Sequence, residues 1–443
     1  MKRFFLAILW LTSLACAWQI RAQDDIRSLT ILHTNDLHAQ LVPTAEGLGG
    51  FAYLAAEVRL QREGCTSCIF LNAGDMVQGT PVSTIYRGAP VYELANLLGF
   101  DAASFGNHEF DYGWKAVRGF ARIAHFPLLS DNVQGADGRF LTGKGYVVMN
   151  VAGVRVAIVG LVMGDLAGNY STPDQVGPWQ VKPVFETIHR AARELQGRAD
   201  LIIALGHLNV TEAAAILAEA PEVSIAVVGH LHDGYAEMQQ NGHRYAVEVK
   251  AYGVELGRLD VRFDLTKHEI LSAAWKHIPI DSHTIAPAPD VAKAVGKWEA
   301  KVSRIVDVPI GEAKHPFSKE QLRPMIEQAM AEATGADFAF ITTGDIRNTL
   351  PQGKLLARSI WNMLPFEDHV VVGSFKGREL PPAITARHPV EPDKEYKVAV
   401  TQFLATNQAS PSQLSATGLK FPVIGPKQRD AMLTWVNKKK IID

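Results

Sequence analysis

Short apolar runs at Leu29–Leu32, Ile69–Leu71, Leu201–Leu205 and Ile225–Val228 are continuous rather than alternating, the pattern of strands buried on both faces. Helical periodicity separates them. The expected order is strand Leu29–His33, helix Phe51–Arg62, strand Ile69–Ala73, helix Pro90–Leu98, strand Ala102–Phe105, helix Trp114–Ala124 and strand Pro127–Ser130. Tyr146–Val151 and Val154–Leu161 flank Ala152-Gly153 and read as a hairpin. Helix Phe185–Leu195, strand Leu201–Gly206, helix Thr211–Ala218 and strand Val223–Gly229 follow, then strands Arg244–Ala251, Leu256–Asp264 and Ile270–His277. Alternation of this kind predicts an α/β domain.

The Ala-Pro-Ala-Pro-Asp stretch after Ile285 breaks the pattern, and Asp290 is expected to cap a charged linker helix reaching about Ile305. A second, smaller α/β region is expected beyond it: helix Glu320–Ala333, then strands Asp337–Thr342, Val370–Phe375 and Tyr396–Phe403. The resulting division is 1–22 leader, 23–285 first domain, 286–308 linker helix and 309–443 second domain.

Chemistry gathers where strands end. Asp36-Leu37-His38, Gly74-Asp75, Gly106-Asn107-His108, Gly206-His207 and Gly229-His230-Leu231-His232 each close an apolar run with a metal-ligand residue type. In open α/β sheets such residues meet outside the carboxyl ends of the strands, so they are expected at one sheet edge. Aspartate, asparagine and histidine are the oxygen and nitrogen donors that a pair of divalent transition ions takes. Asp36 and His38 alternate and should grip one ion together, His230 and His232 have the same spacing, and Asp75 is the natural bridge. Such a pair acidifies a bound water and clamps an in-line phosphoryl displacement, so hydrolysis of a phosphate ester by metal-bound hydroxide is the expected reaction. His108, oriented by Asp111 three residues on, is placed to protonate the leaving alkoxide or to stabilise charge on the phosphoryl oxygens. The remaining histidines lack ligand spacing and read as surface or packing residues.

A 443-residue chain with 47% hydrophobic residues has material for more than one core. Lys+Arg 44 against Asp+Glu 46 gives a net charge of −2, which removes any general electrostatic case for a nucleic-acid polymer as partner. Met1-Lys2-Arg3, an apolar stretch from Phe4 to Leu14 and Ala15-Cys16-Ala17 read as a secretory signal, with a second possible cut after Ala22. The expectation is a periplasmic or secreted protein, with lipid attachment at Cys16 a minor alternative, and no later run is long and apolar enough for a membrane helix. Cys65 and Cys68 then remain, and a local disulfide is the expected fate in an exported chain.

These segments, with Gln78-Gly79-Thr80-Pro81 and Phe110-Asp111-Tyr112-Gly113, resemble the signature of calcineurin-like metallophosphatases, in particular the exported 5′-nucleotidase/UDP-sugar hydrolase branch. The resemblance implies a four-layer α-β-β-α sandwich joined by a helix to a smaller C-terminal α/β substrate-binding domain. It implies that Asp36, His38, Asp75 and His232 hold one ion and Asp75, Asn107, His207 and His230 the other, the metals being Zn, Mn, Co or Fe. His108 and Asp111 match its catalytic dyad. Arg347, in Gly344-Asp345-Ile346-Arg347, matches a phosphate-binding element, and Phe366 and Phe403 match a pair of aromatics that sandwich a nucleobase. The implied substrate is a nucleoside 5′-monophosphate, with nucleotide diphosphates or nucleotide sugars beside it. The chain departs from the pattern after Phe403, where Asn407-Gln408-Ala409 replaces a Gly-Gly-Asp whose carboxylate binds ribose, and in a shortened stretch between Leu380 and Tyr396. Alternatives on the same fold are a cyclic-nucleotide phosphodiesterase, a general phosphomonoesterase or a sulfur-ester hydrolase. A nucleotide-binding protein without catalysis is the alternative of another class.

Overall fold

A computed structural model of the chain describes residues 25–169, 173–407 and 414–443. The proposed leader, Cys16 included, and the Gln408-Ala409 departure lie outside the described residues. Residues from Ile26 to Pro279 build two six-stranded sheets. The first runs Glu269–Pro279, Glu255–Asp264, Ile26–Thr34, Cys68–Ala73, Ala102–Ser104, Leu128–Leu129. Its last four strands are mutually parallel and its first two are joined antiparallel. The second runs Gln239–Asn241, Arg244–Val247, Ile225–Gly229, Leu201–His207, Val154–Val162, Tyr146–Val151, with a parallel centre and antiparallel edges.

The sheets face each other across one apolar layer, in which Leu29, Ile31, Leu71 and Leu259 of the first pack with Val156, Ile158, Ile203 and Val227 of the second. The outer face of the first sheet is covered by helices Phe51–Arg62, Ala89–Ala95 and Trp114–Ile123. Helices Val184–Leu195 and Val210–Glu219 cover the second. The central strands are buried on both faces, as their unbroken apolar runs require.

Sequence and structure differ at several elements. The single helix expected at Pro90–Leu98 is Ala89–Ala95, and another helix, Pro81–Tyr86, precedes it, started by a proline whose fixed φ suits the first turn. Asp290 is not the cap of the linker helix. That helix spans Pro289–Val306 with Ala288 at its N-cap, and Asp290 sits in the first turn, ion-paired to Arg59 at 2.7 Å. Phe403 leaves its strand: the strand Glu395–Thr401 ends where Thr401 caps helix Gln402–Thr406. The expected disulfide does join Cys65 and Cys68.

The linker helix buries Val291, Val295, Val302 and Val306 against the first unit. Beyond it, Pro309–Ile442 forms a smaller unit with its own core. A four-stranded sheet, Phe338–Phe340, Glu395–Thr401, His369–Lys376, Val423–Lys427, packs against helices Lys319–Thr334 and Gln428–Lys439. Ser318 and Gln321 close a reciprocal capping box at the start of the former. Trp361 packs against the cores of both units, and Thr84 donates to the Pro365 carbonyl at 3.1 Å, so the Leu364–Phe366 loop is tied to the first unit. Among the described residues no helix is long and apolar enough to cross a membrane.

Candidate active site

The metal-ligand residue types meet, but not at one sheet edge. Asp36, Asp75 and Asn107 follow strands of the first sheet; His207, His230 and His232 end or follow strands of the second. The site therefore straddles the rim where the two sheets abut. A single-sheet expectation failed because strand ends say nothing of which sheet a strand joins.

Two donor groups lie there, Asp36 with His38 and His232, and Asp75 with His207 and His230. His230 and His232, despite their alternate spacing, go to different groups. Asp36 and His38 do share a group, though through left-handed backbone at φ 49° and 46° rather than by strand-like alternation. Asp75, His230 and His232 also have positive φ. Non-glycine residues held there cost of order 1–3 kcal/mol each, and such strain gathers where function demands a geometry.

Distances within the groups suit shared cations. His38 Nε2 and His232 Nε2 face each other at 3.0 Å, with Asp36 Oδ1 3.4 Å from the latter and 3.7 Å from the former. Asp75 Oδ2 is 3.1 Å from His207 Nε2, whose ring nitrogen also lies 3.2 Å from Asn107 Oδ1. Asp36 Oδ1 and Asp75 Oδ2 are buried without a hydrogen-bond partner. Ligand atoms at roughly 2.0–2.2 Å from one ion stand about 3 Å apart, and buried acceptors without donors call for a cation. Asp75 Oδ1 accepts the His108 N–H at 3.0 Å. Gly106 must be glycine, because a Cβ there would stand 2.1 Å from Asp75 Oδ1.

The electrostatics agree with a site built for positive charge. Burial pushes the His207 imidazole down, but the carboxylates of Asp75 and Asp36 more than reverse this, to about 10. Burial and the neighbouring His207 lower His230 to about 4, and burial holds His38 well below its usual value.

His108 stands outside both groups. Its Nδ1 is 2.9 Å from Asp111 Oδ2, its ring meets His38 edge-on, and its Nε2 lies 3.4 Å from Arg347 Nη2 of the second unit. Phe366 stacks on the His108 ring at 6.0 Å, and the Arg347 guanidinium lies 5.0 Å over Phe366. Arg429, itself buried, donates to the Phe366 carbonyl at 3.3 Å and pairs with Glu367. Phe403 is 43% exposed, and its N–H is held by Asp368 at 3.1 Å. One carboxylate thus links the loop of the first aromatic to the helix of the second.

Several residues of the site carry no sequence signal of their own. Asn35 is fully buried; its Nδ2 donates to Asp36 Oδ2 at 2.8 Å and to the Val249 carbonyl, while its Oδ1 accepts the Val249 N–H. The His230 N–H also binds Asp36 Oδ2, which leaves Oδ1 to face the imidazoles. Glu109 accepts from the N–H groups of Asp75, Met76, Val77 and Gly106, clamping two ligand loops together. Burial and the nearby Asp75 raise its carboxyl to about 7. Glu248 does the like for Leu231, between His230 and His232. Groups that orient ligands are typically worth 10–100-fold in metal affinity. Asn35→Ala is accordingly expected to weaken ion binding by roughly that factor. Competition against a chelating indicator measures it, and unchanged affinity would reduce Asn35 to a packing role.

Comparison with known proteins supports both halves. Residues 29–234 match the calcineurin-like phosphoesterase family, and residues 302–388 match the 5′-nucleotidase C-terminal domain. Endonuclease YhcR of Bacillus subtilis is 26% identical over 485 residues, a match covering 92% of this chain but 39% of that protein. Protein UshA of Yersinia enterocolitica is 26% identical over 432 residues, covering 83% of this chain and 76% of its own. The fold superposes on a 5′-nucleotidase precursor from Thermus thermophilus with a TM-score of 0.81 at 22% identity, covering 94% of this chain and 97% of that one. The chain thus joins a calcineurin-like phosphoesterase domain to a 5′-nucleotidase C-terminal domain, the domain pair of a metal-dependent phosphoester hydrolase.

Proposed function

We propose that this protein releases phosphate from nucleoside 5′-monophosphates, with nucleotide diphosphates or nucleotide sugars as further substrates. The observation that carries the reading is the meeting of His108, Arg347 and Phe366 in one cleft beside the two donor groups. Asp36, His38, Asp75 and His232 would hold one divalent ion and Asp75, Asn107, His207 and His230 the other; Zn, Mn, Co and Fe all suit this donor set. Bound there, such ions supply Lewis-acid charge and an acidified water.

The chain's own groups do the rest. Asp111 holds His108 Nδ1, so Nε2 is the atom that gives a proton to the leaving alkoxide. Arg347 pairs with phosphoryl oxygens, and Phe366 and Phe403 offer flat faces to a base. Residues 1–22 act as a secretory signal and the protein works in the periplasm or outside the cell. Its catalytic domain is 23–285, its linker helix 286–308 and its substrate domain 309–443.

A nucleotide panel assayed with defined metals tests this. Phosphate release from AMP well above that from p-nitrophenyl phosphate is expected. Equal rates would remove base selection by the aromatics, and no release from any nucleotide would end the reading.

A further inference from the structure

Beside the His38 ring a cavity of about 110 Å³ opens between the two units, walled by His38, Gln40, Gln78, Tyr252, Arg347 and Asn348. Gln78 is 2% exposed, and its carboxamide nitrogen meets no hydrogen-bond partner. Arg347 Nε, in the same wall, is also buried and unpartnered. Both are donors, and they converge on one space.

The backbone is bent to bring this about. Gln78 sits at φ 69°, a left-handed conformation that glutamine avoids, and its N–H is held at 2.9 Å by Ser83 Oγ, itself 3.1 Å from the Tyr112 hydroxyl. The next residue must be glycine, since a Cβ at Gly79 would stand 2.6 Å from the His38 carbonyl oxygen. A strained backbone, a tight glycine and a dehydrated amide are all unfavourable for folding. An apolar side chain at position 78 would remove the last of these penalties.

We infer that Gln78 contacts the substrate: its carboxamide N–H donates to a non-bridging oxygen of the scissile phosphoryl group, next to Arg347. A tetrahedral oxyanion is an acceptor-only ligand, and it suits a wall in which Gln78 Nε2 and Arg347 Nε are unpaired donors. A fixed neutral donor stabilises charge on that oxygen as the phosphoryl group transfers. This rests on the phosphoester reading above.

The test uses the full chain loaded with metal and three variants, Gln78→Ala, Gln78→Leu and Gln78→Glu. Inorganic phosphate serves as the binding probe and an active nucleotide as the substrate. Removing one such donor is expected to lower kcat by roughly 10²–10³-fold. Phosphate affinity should fall too, most for Gln78→Glu, which replaces a donor by an anion. Ion content should stay at the wild-type value, and Gln78→Leu should melt no earlier than wild type. Wild-type kcat and phosphate affinity in Gln78→Leu would overturn the inference, as would ion loss in all three variants. If the wild-type protein cleaved no phosphoester at all, the proposed function would fall, while the phosphate titrations would still decide the role of Gln78.

Discussion

Asp75→Ala is expected to come out of metal-loaded preparation with fewer than two ions per chain and with turnover reduced beyond the roughly 10²–10⁴-fold that loss of an acid–base group brings. Two roles meet in this side chain, which is fully buried on a fixed loop. Its Oδ2 faces His207 at 3.1 Å, its Oδ1 receives the His108 N–H at 3.0 Å, and its own N–H is fixed by Glu109. Alanine removes the anion that faces His207 and that is proposed to bridge the two ions, and it also frees the loop that sets His108. Metal analysis after dialysis, beside a phosphate-release assay, reads both effects. A variant that kept two ions would show that Asp75 is no bridge.

His108→Ala should behave in the opposite way toward metal, keeping both ions while losing about 10²–10⁴-fold in turnover. The geometry gives the reason. The imidazole is turned toward Asp111, Phe366 and Arg347 and belongs to neither donor group. Only its backbone N–H touches Asp75, and alanine retains that. The loss should be largest for substrates with poor leaving groups, which depend most on a proton. Asp111→Asn should do less harm, because it disturbs the orientation and charge of the ring without removing it. Metal depletion in His108→Ala would make His108 a ligand, and near-normal rates on poor leaving groups would take it out of the chemistry.

The sequence was most legible where one physical rule governs. Unbroken apolar runs such as Leu201–Leu205 and Ile225–Val228 read as buried strands, and the polar residues at their ends are members of the two donor groups. Partition between sheets was not legible, because the strand at Val154–Val162 pairs with Leu201–His207 by non-local hydrogen bonds that no local pattern encodes. Asn35 was hidden for a related reason: its partner Val249 lies 214 residues away. Glu109 stood inside a motif already singled out, but a carboxylate that binds backbone N–H groups has the same sequence appearance as one that faces water. Tyr252, whose ring rests against His38 and His232, follows no recognisable signal.

Because the donors are split between two sheets, the site is also a gauge of how those sheets are docked. His38 and His232 meet across 194 residues of chain, and the contact exists only when the apolar layer between the sheets is closed. The first sheet is itself closed by a ladder of comparable range, Ile26–Thr34 beside Glu255–Asp264, so that ladder and docking both join distant parts of the chain. An ion held by both halves binds only the docked state and adds its binding free energy to that closure. An ion bound there would act as a latch at the rim of the sandwich, so that its affinity and the closure of the two sheets are set by the same interface.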